Sequence, residues 1–394
     1  MDQTFQKARF FTMGGSKKDL GLDVARVSFW VNDLKRVEAL RQLAFEKKGF
    51  DGFLVTNGAN QLYFAGFPGT ACMLIPKKGK TTIYVYGTNY EQAKAEGKGF
   101  NVELVKRGEN LAEKIAKKVR ASKIKKLGLD TITGVPGVAD YMKLRKATRG
   151  TAKIRIDNKP VSELRKVKDA EEIELMRKAG ELTSEGMKAA YETIKSGLRE
   201  YEVAAEIEYA MRKKGSWGTA FETIVASGVR SAFPHGGCTN RKIRNGDLVV
   251  VDIGASYQYY CSDTTRTITA GKPSAKQKKI YEIVRLAQEK AFQAVKPKAK
   301  AKDVDVISRK IIEEAGYDKY YVHGLGHGVG LEVHESPTLN PRSKDRLTVG
   351  NVVTIEPGIY IVGFGGIRIE DTVLVQKRKA EKLTKGPYTL ETKP

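Results

Sequence analysis

The chain has 394 residues, 41% apolar and 29% charged, a formal net charge of +24 and only three cysteines, Cys72, Cys238 and Cys261. This is the profile of a soluble globular protein with room for two domains, and no apolar run is long enough to span a bilayer. The odd, widely spaced cysteines contain no Cys-x-x-Cys pair, which excludes a disulfide framework and a thiolate zinc site. The first thirty residues show neither an unbroken apolar stretch nor a cleavage-site pattern, so a reducing cytoplasm is the expected location.

In chain order, DLKRVEALRQLAFEKK (33–48) and NLAEKIAKKVRAS (110–122) have the apolar spacing of amphipathic helices. DGFLVTN, ACMLIP and TTIYVY, between residues 51 and 86, read as strands, and the alternation predicts an α/β domain over residues 1–158. The densest basic run, AEKIAKKVRASKIKK (112–126), interleaves its lysines with Ile115, Ala116, Val119 and Ile124 at helical spacing. That pattern marks a solvated helix face, and without aromatic stacking residues the charge does not predict a nucleic-acid partner. Around Pro160 the chain passes into a long helical pattern, so a second domain is expected over 159–394.

Within that second part the order of elements occurs twice. Helices near 169–195 and 199–214 precede strands carrying NGDLVVVDIG and YCSDTTRTI; helices near 274–295 and 302–315 precede strands carrying NVVTIEPG and GIRIEDTVLV. Each half thus ends in a strand pair bearing acids: Asp252 and Asp263, then Glu356 and Glu370, expected as four acids in four strands. A buried carboxylate is costly unless it is paired or metal-bound. Should the four converge, two divalent cations would neutralise their four charges. Asp371, next to Glu370, is expected to face the other way.

Three of the four histidines, His323, His327 and His334, fall within twelve positions. A neutral imidazole is a metal ligand and a proton carrier near pH 7. Gly324, Gly326, Gly328 and Gly330 exclude a helix there, so the four-residue spacing of His323 and His327 is not a helix-borne zinc motif. Carboxylates with an imidazole and no thiolate favour Mn²⁺, Co²⁺ or Fe²⁺ over a closed structural Zn²⁺ site.

Taken together, NGDLVVVDIG, SDTTRT, HGLGHGVGLEVHE, TIEPGIY and IRIEDTVLV resemble the pita-bread metallopeptidases, above all the Xaa-Pro branch of dipeptidases and aminopeptidases. NQLYFAGFPG resembles a segment of that family's creatinase-like N-terminal domain. The resemblance implies an α+β pita-bread fold with a pseudo-twofold repeat, behind an α/β creatinase-like domain. It implies Asp252, Asp263, His327, Glu356 and Glu370 as ligands of two divalent ions per subunit, Mn²⁺ foremost, with Co²⁺, Fe²⁺ or Zn²⁺ as substitutes. His235, His323 and His334 would line the substrate site, Arg368 would stand beside the metals, and Glu356 would double as proton carrier. The expected activity is hydrolysis of Xaa-Pro peptides by a homodimer, with no membrane partner. A methionine aminopeptidase shares the five ligands but lacks such an N-terminal domain. A creatinase-like hydrolase shares both domains without the ligand set, and a non-catalytic module binding protein or nucleic acid would have the +24 charge as its support.

Overall fold

A computed structural model describes residues 33–131 and 137–392, so the expectation drawn from the first thirty residues concerns positions outside it. The N-terminal part is built on a six-stranded sheet of order β4-β3-β2-β1-β5-β6. Its strands are β1 (Gly52–Val55), β2 (Cys72–Pro76), β3 (Thr82–Tyr86), β4 (Asn101–Val105), β5 (Lys126–Leu129) and β6 (Lys153–Ile156). All run parallel except β2, which is antiparallel to both its neighbours.

The central strands are near-continuous apolar runs because both faces are covered. On one face Phe53, Val55, Met73 and Ile83 pack under α1 (Asp33–Arg41) and α2 (Gly58–Ala65), through Val37, Leu40 and Phe64. On the other, Leu54, Leu74 and Tyr84 meet α4 (Leu111–Ala121) and α5 (Val138–Ala147), through Ile115, Val119 and Leu144. The short α3 (Tyr90–Glu96) precedes β4. In α4 the residues Ala112, Ile115, Ala116 and Val119 are buried while Lys117 and Arg120 are exposed, as the sequence pattern predicts.

Helix α6 (Lys159–Arg165) leads into α7 (Ala170–Thr193), which opens with Asp169 and Glu172 in a reciprocal capping box, and α8 (Glu200–Lys213) follows. The strands of this half are β7 (Gly218–Thr219), β8 (Ile224–Ser227), β9 (Leu248–Ile253), β10 (Ala255–Tyr257), β11 (Tyr260–Cys261) and β12 (Thr264–Thr269). The second half repeats a helix pair, α9 (Ala275–Ala294) and α10 (Ala301–Glu314). It continues with β13 (Gly326–Gly328), β14 (Glu335–Leu339), β15 (Val352–Ile355), β16 (Gly358–Ile361), β17 (Gly365–Arg368), β18 (Asp371–Leu374) and β19 (Glu381–Lys382). The main sheets run β12-β9-β8 and β14-β13-β15-β18-β19, and each holds one antiparallel pair with the acids in or beside it, β9 with β12 and β15 with β18. This is the duplicated α+β pita-bread arrangement.

One expectation is corrected. Of the four acids only Asp252 lies inside a strand: Asp263 immediately precedes β12, Glu356 follows β15, and Glu370 sits in the break between β17 and β18. The break has a cause. Before it the chain pairs with β16, after it with β15, and in crossing over Ile369 N–H donates to Pro357 O and Glu370 N–H to Thr265 O.

Asp371 does face away from Glu370, but into the protein. It is fully buried and takes Arg266, itself 0% exposed, at 2.8 Å and Lys382 at 2.9 Å. Arg266 also donates to the carbonyls of Thr265 and Glu370, fastening the strand break from behind. Removing one member of a buried pair strands the other, so Arg266→Met is expected to lower unfolding free energy by about 3–5 kcal/mol in urea titration. A loss below 1 kcal/mol would show the network to be dispensable. Among the described residues no helix is long and apolar enough to cross a membrane.

Candidate metal centre

The two halves deliver their acids to one place through threonines. Asp252 lies opposite Thr265 in the β9–β12 register, and Thr265 Oγ1 donates to Glu370 Oε2 at 2.6 Å. Thr372 exchanges hydrogen bonds with the Asp263 backbone, N–H to Oγ1 at 3.1 Å and Oγ1 to carbonyl at 2.7 Å. Thr354 accepts the His327 N–H and donates to Glu356 Oε1, both at 3.0 Å. Strand β13 lies so close to β15 that a Cβ on Gly326 would stand 2.1 Å from Thr354 O, which explains a glycine immediately before His327.

The side chains converge. One ligand atom each from Asp263, His327 and Glu370 lies within 4.8 Å of the others, and His327 Nε2 is 3.2 Å from Glu356 Oε1. Asp252 closes the group, its Oδ2 held at 2.6 Å by Arg368 Nη2. Three carboxylate oxygens, Asp252 Oδ1, Asp263 Oδ1 and Glu370 Oε1, are buried without a hydrogen-bond partner. Buried acceptors normally find a donor. Orphan oxygens from three carboxylates around one imidazole are a donor set suited to divalent cations.

The electrostatics agree. Burial, then Glu370, Asp252 and Glu356, push the Asp263 carboxyl well above the usual carboxylate range; burial, Glu356 and Asp252 do the same to Glu370. Burial would also raise Glu356, but the hydrogen bond and charge of His327, with His323 and Arg368, bring it down to about 2. Burial lowers His327, and the Glu356 contact outweighs it to leave a net rise. Its Nδ1 lies 3.1 Å from Gly328 O, a carbonyl that only accepts, so Nδ1 carries the proton and Nε2 turns toward the acids.

His323 stands behind this cluster. Its Nδ1 donates to Gly324 O at 2.7 Å, which leaves Nε2 to accept from Tyr360 Oη at 2.9 Å, and Tyr360 in turn accepts from Arg368 Nη1 at 2.8 Å. The donors run one way, from Arg368 through Tyr360 and His323 to a carbonyl. Burial lowers the pKa of His323 and pushes the Tyr360 hydroxyl up to about 12. Arg368 is 2% exposed, with Nε on Thr265 Oγ1 at 3.0 Å. His334 and His235 are exposed, and the His334 ring stands 4.2 Å from that of His327. The loop carrying His235 is tied to the fully buried Glu200, which accepts from Ser227 and Thr239 and pairs with Arg230.

Tyr360 and Glu200 are functional neighbours that motif reading passes over. Tyr360 had a signal: it lies within TIEPGIY, four residues after Glu356. Glu200 had none, because its partners lie 27 to 39 residues away.

Residues 174–377 match Metallopeptidase family M24, and residues 36–167 match the Creatinase/Prolidase N-terminal domain. The chain belongs to metallopeptidase family M24. It is 41% identical over 354 residues to a Xaa-Pro dipeptidase of Pyrococcus furiosus, covering 89% of this chain and 98% of that one. Its structure is similar to that of a Xaa-Pro dipeptidase from Bacillus anthracis, with TM-score 0.86, 38% identity and coverage of 91% and 99%. It is also similar to an X-Pro aminopeptidase from Thermotoga maritima, with TM-score 0.81, 36% identity and coverage of 90% and 99%.

Proposed function

We propose that this metallopeptidase cleaves the Xaa-Pro bond at the N-terminus of short peptides, with two divalent ions, Mn²⁺ foremost, held by Asp252, Asp263, His327, Glu356 and Glu370. The observation that supports the reading is the clustering of Asp263, His327 and Glu370, with Glu356 against His327, beside three orphan carboxylate oxygens from Asp252, Asp263 and Glu370. Such ions, when bound, supply Lewis-acid polarisation of the carbonyl and a water acidic enough to attack at neutral pH.

The chain's own residues do the rest. Glu356, ionised at neutral pH, takes the proton of the attacking water and passes it to the leaving proline nitrogen. His334 and His235, exposed at the mouth, hydrogen-bond the peptide and its developing oxyanion. Arg368 orients Asp252 and is itself oriented by Tyr360 and, behind it, His323. A bond to proline is a tertiary amide without an N–H, so peptidases that grip that N–H are unsuited to it.

The division of the chain at residue 158 belongs to the same proposal. Strand β6 completes the N-terminal sheet at Ile156, and α6 opens at Lys159. So does the homodimer, which light scattering would register as twice the chain mass. A reducing cytoplasm accords with three free cysteines.

The test is hydrolysis of a Xaa-Pro dipeptide beside a Xaa-Pro-Yaa tripeptide, each with Mn²⁺ and with excess chelator. Metal-dependent cleavage of either is expected; dipeptide alone marks a dipeptidase and preference for tripeptide an aminopeptidase. Metal binding without cleavage of either would overturn the proposal.

A further inference from the structure

The β13–β14 hairpin carries His327 on its first strand and His334 immediately before its second, with Gly328 opposite Glu335. Its turn is gripped from the far side by one guanidinium. Arg165, the last residue of α6 and 6% exposed, places Nη1 at 2.8 Å from Glu332 Oε2 and Nη2 at 2.5 Å from Glu335 Oε2. His334 lies between these two glutamates in sequence. Lys168 takes the other Glu335 oxygen at 2.5 Å, and Ser162, one helical turn before Arg165, bonds Ser336 at 3.0 Å.

The grip extends into the N-terminal sheet. Arg165 Nη1 also donates to Asn60 Oδ1 at 2.7 Å, and Asn60 Nδ2 donates to the buried Asp130 at the end of β5 at 2.8 Å. Asn57 joins the same two ends, its N–H on Asp130 at 3.1 Å and its Nδ2 on Glu332 at 3.2 Å. The turn is built to admit this: a Cβ on Gly330 would stand 2.5 Å from Glu335 Oε1. A cavity of about 370 Å³ lies along the network, its lining including Asn60, Arg165, Glu335, His327 and His334.

We propose that Arg165 is a positioning residue: by holding both ends of the Glu332–Glu335 turn against Asn60, it fixes His334 over the metal-facing His327 and couples the N-terminal sheet to the active site. A planar fork with five donors suits two carboxylates and an amide at once, whereas a lysine ammonium is a point charge and reproduces the grip only in part. The inference rests on the Xaa-Pro reading for the role of His334, not for the existence of the lock.

The test compares Arg165→Met and Arg165→Lys in the wild-type and His334→Ala backgrounds, on metal-loaded full-length protein. In the wild-type background Arg165→Met is expected to lower kcat/KM about 10- to 100-fold, the scale of a misplaced catalytic group, with Arg165→Lys in between. In the His334→Ala background the same change is expected to add no more than about twofold, because its effect passes through His334. Equal losses in both backgrounds would overturn the proposal, since that is what general destabilisation produces.

Hydrogen exchange supplies a readout independent of activity. The amides of residues 329–335 are expected to lose protection in Arg165→Met while α7 and β9 keep theirs. Unchanged protection there would also overturn the lock. If the wild-type protein cleaves no Xaa-Pro peptide, the functional reading fails, and the exchange measurement still decides on Arg165.

Discussion

Glu356→Gln is expected to lower kcat by about 10²- to 10⁴-fold with a much smaller change in KM, the range that general acid–base catalysis contributes. The substitution keeps the side chain's length and its acceptor oxygen for Thr354, 3.0 Å away. It removes the charge that raises His327 and the base that receives the proton. Glu356 is pulled down, to about 2, while Asp263 and Glu370 are pushed up. Steady-state kinetics with the metal content checked by mass spectrometry makes the test, because a variant that had merely lost metal would betray itself. Turnover near that of the wild type, with metal retained, would remove Glu356 from the chemistry.

The second large effect is the dependence of stability on metal and pH together. An acid whose folded pKa is raised keeps a proton that the unfolded chain releases. Asp263 and Glu370 therefore lower stability as pH rises from the ordinary carboxylate value of about 4 through their raised folded values. Glu356 works with the opposite sign: its contribution is present above the unfolded value and is lost progressively as pH falls from there through about 2.

Cations bound among the acids would cancel the repulsion. The gap in melting temperature between Mn²⁺-loaded and chelator-stripped protein is thus expected to widen as pH rises from about 5 to 8. At a metal concentration a hundredfold above Kd the stabilisation is about 3 kcal/mol. Thermal unfolding across that pH range measures it, and a gap that stays constant or narrows would show that the carboxylates do not share one cation site.

Much of this was legible in the sequence because its signal is local. The helices α4 and α7 declare themselves by apolar spacing, and the double-faced strands β1 to β3 by unbroken apolar runs. The acids of NGDLVVVDIG and TIEPGIY stand out because carboxylates are rare beside such runs.

What was not legible lies in pairings between distant positions. Arg165 and Glu335 are 170 residues apart, and Arg266 and Asp371 are 105 apart. Nothing in the neighbourhood of either arginine distinguishes it from a surface charge. The break before Asp371 was hidden for a related reason: GIRIEDTVLV has the composition of one strand, and only the change of partner from β16 to β15 divides it. Tyr360 falls between these cases, with a local signal in its place within TIEPGIY but a meaning that depends on Arg368 across the β16–β17 hairpin.

On the proposed reading, Xaa-Pro cleavage depends on two divalent ions held by five side chains. The most direct measurement is a titration of chelator-stripped protein with Mn²⁺, following bound metal per chain and Xaa-Pro hydrolysis in the same samples. Activity that is absent in the stripped protein and returns as occupancy rises to two per chain is the predicted result. Full hydrolysis by metal-free protein, or saturation with metal and no hydrolysis, would contradict it.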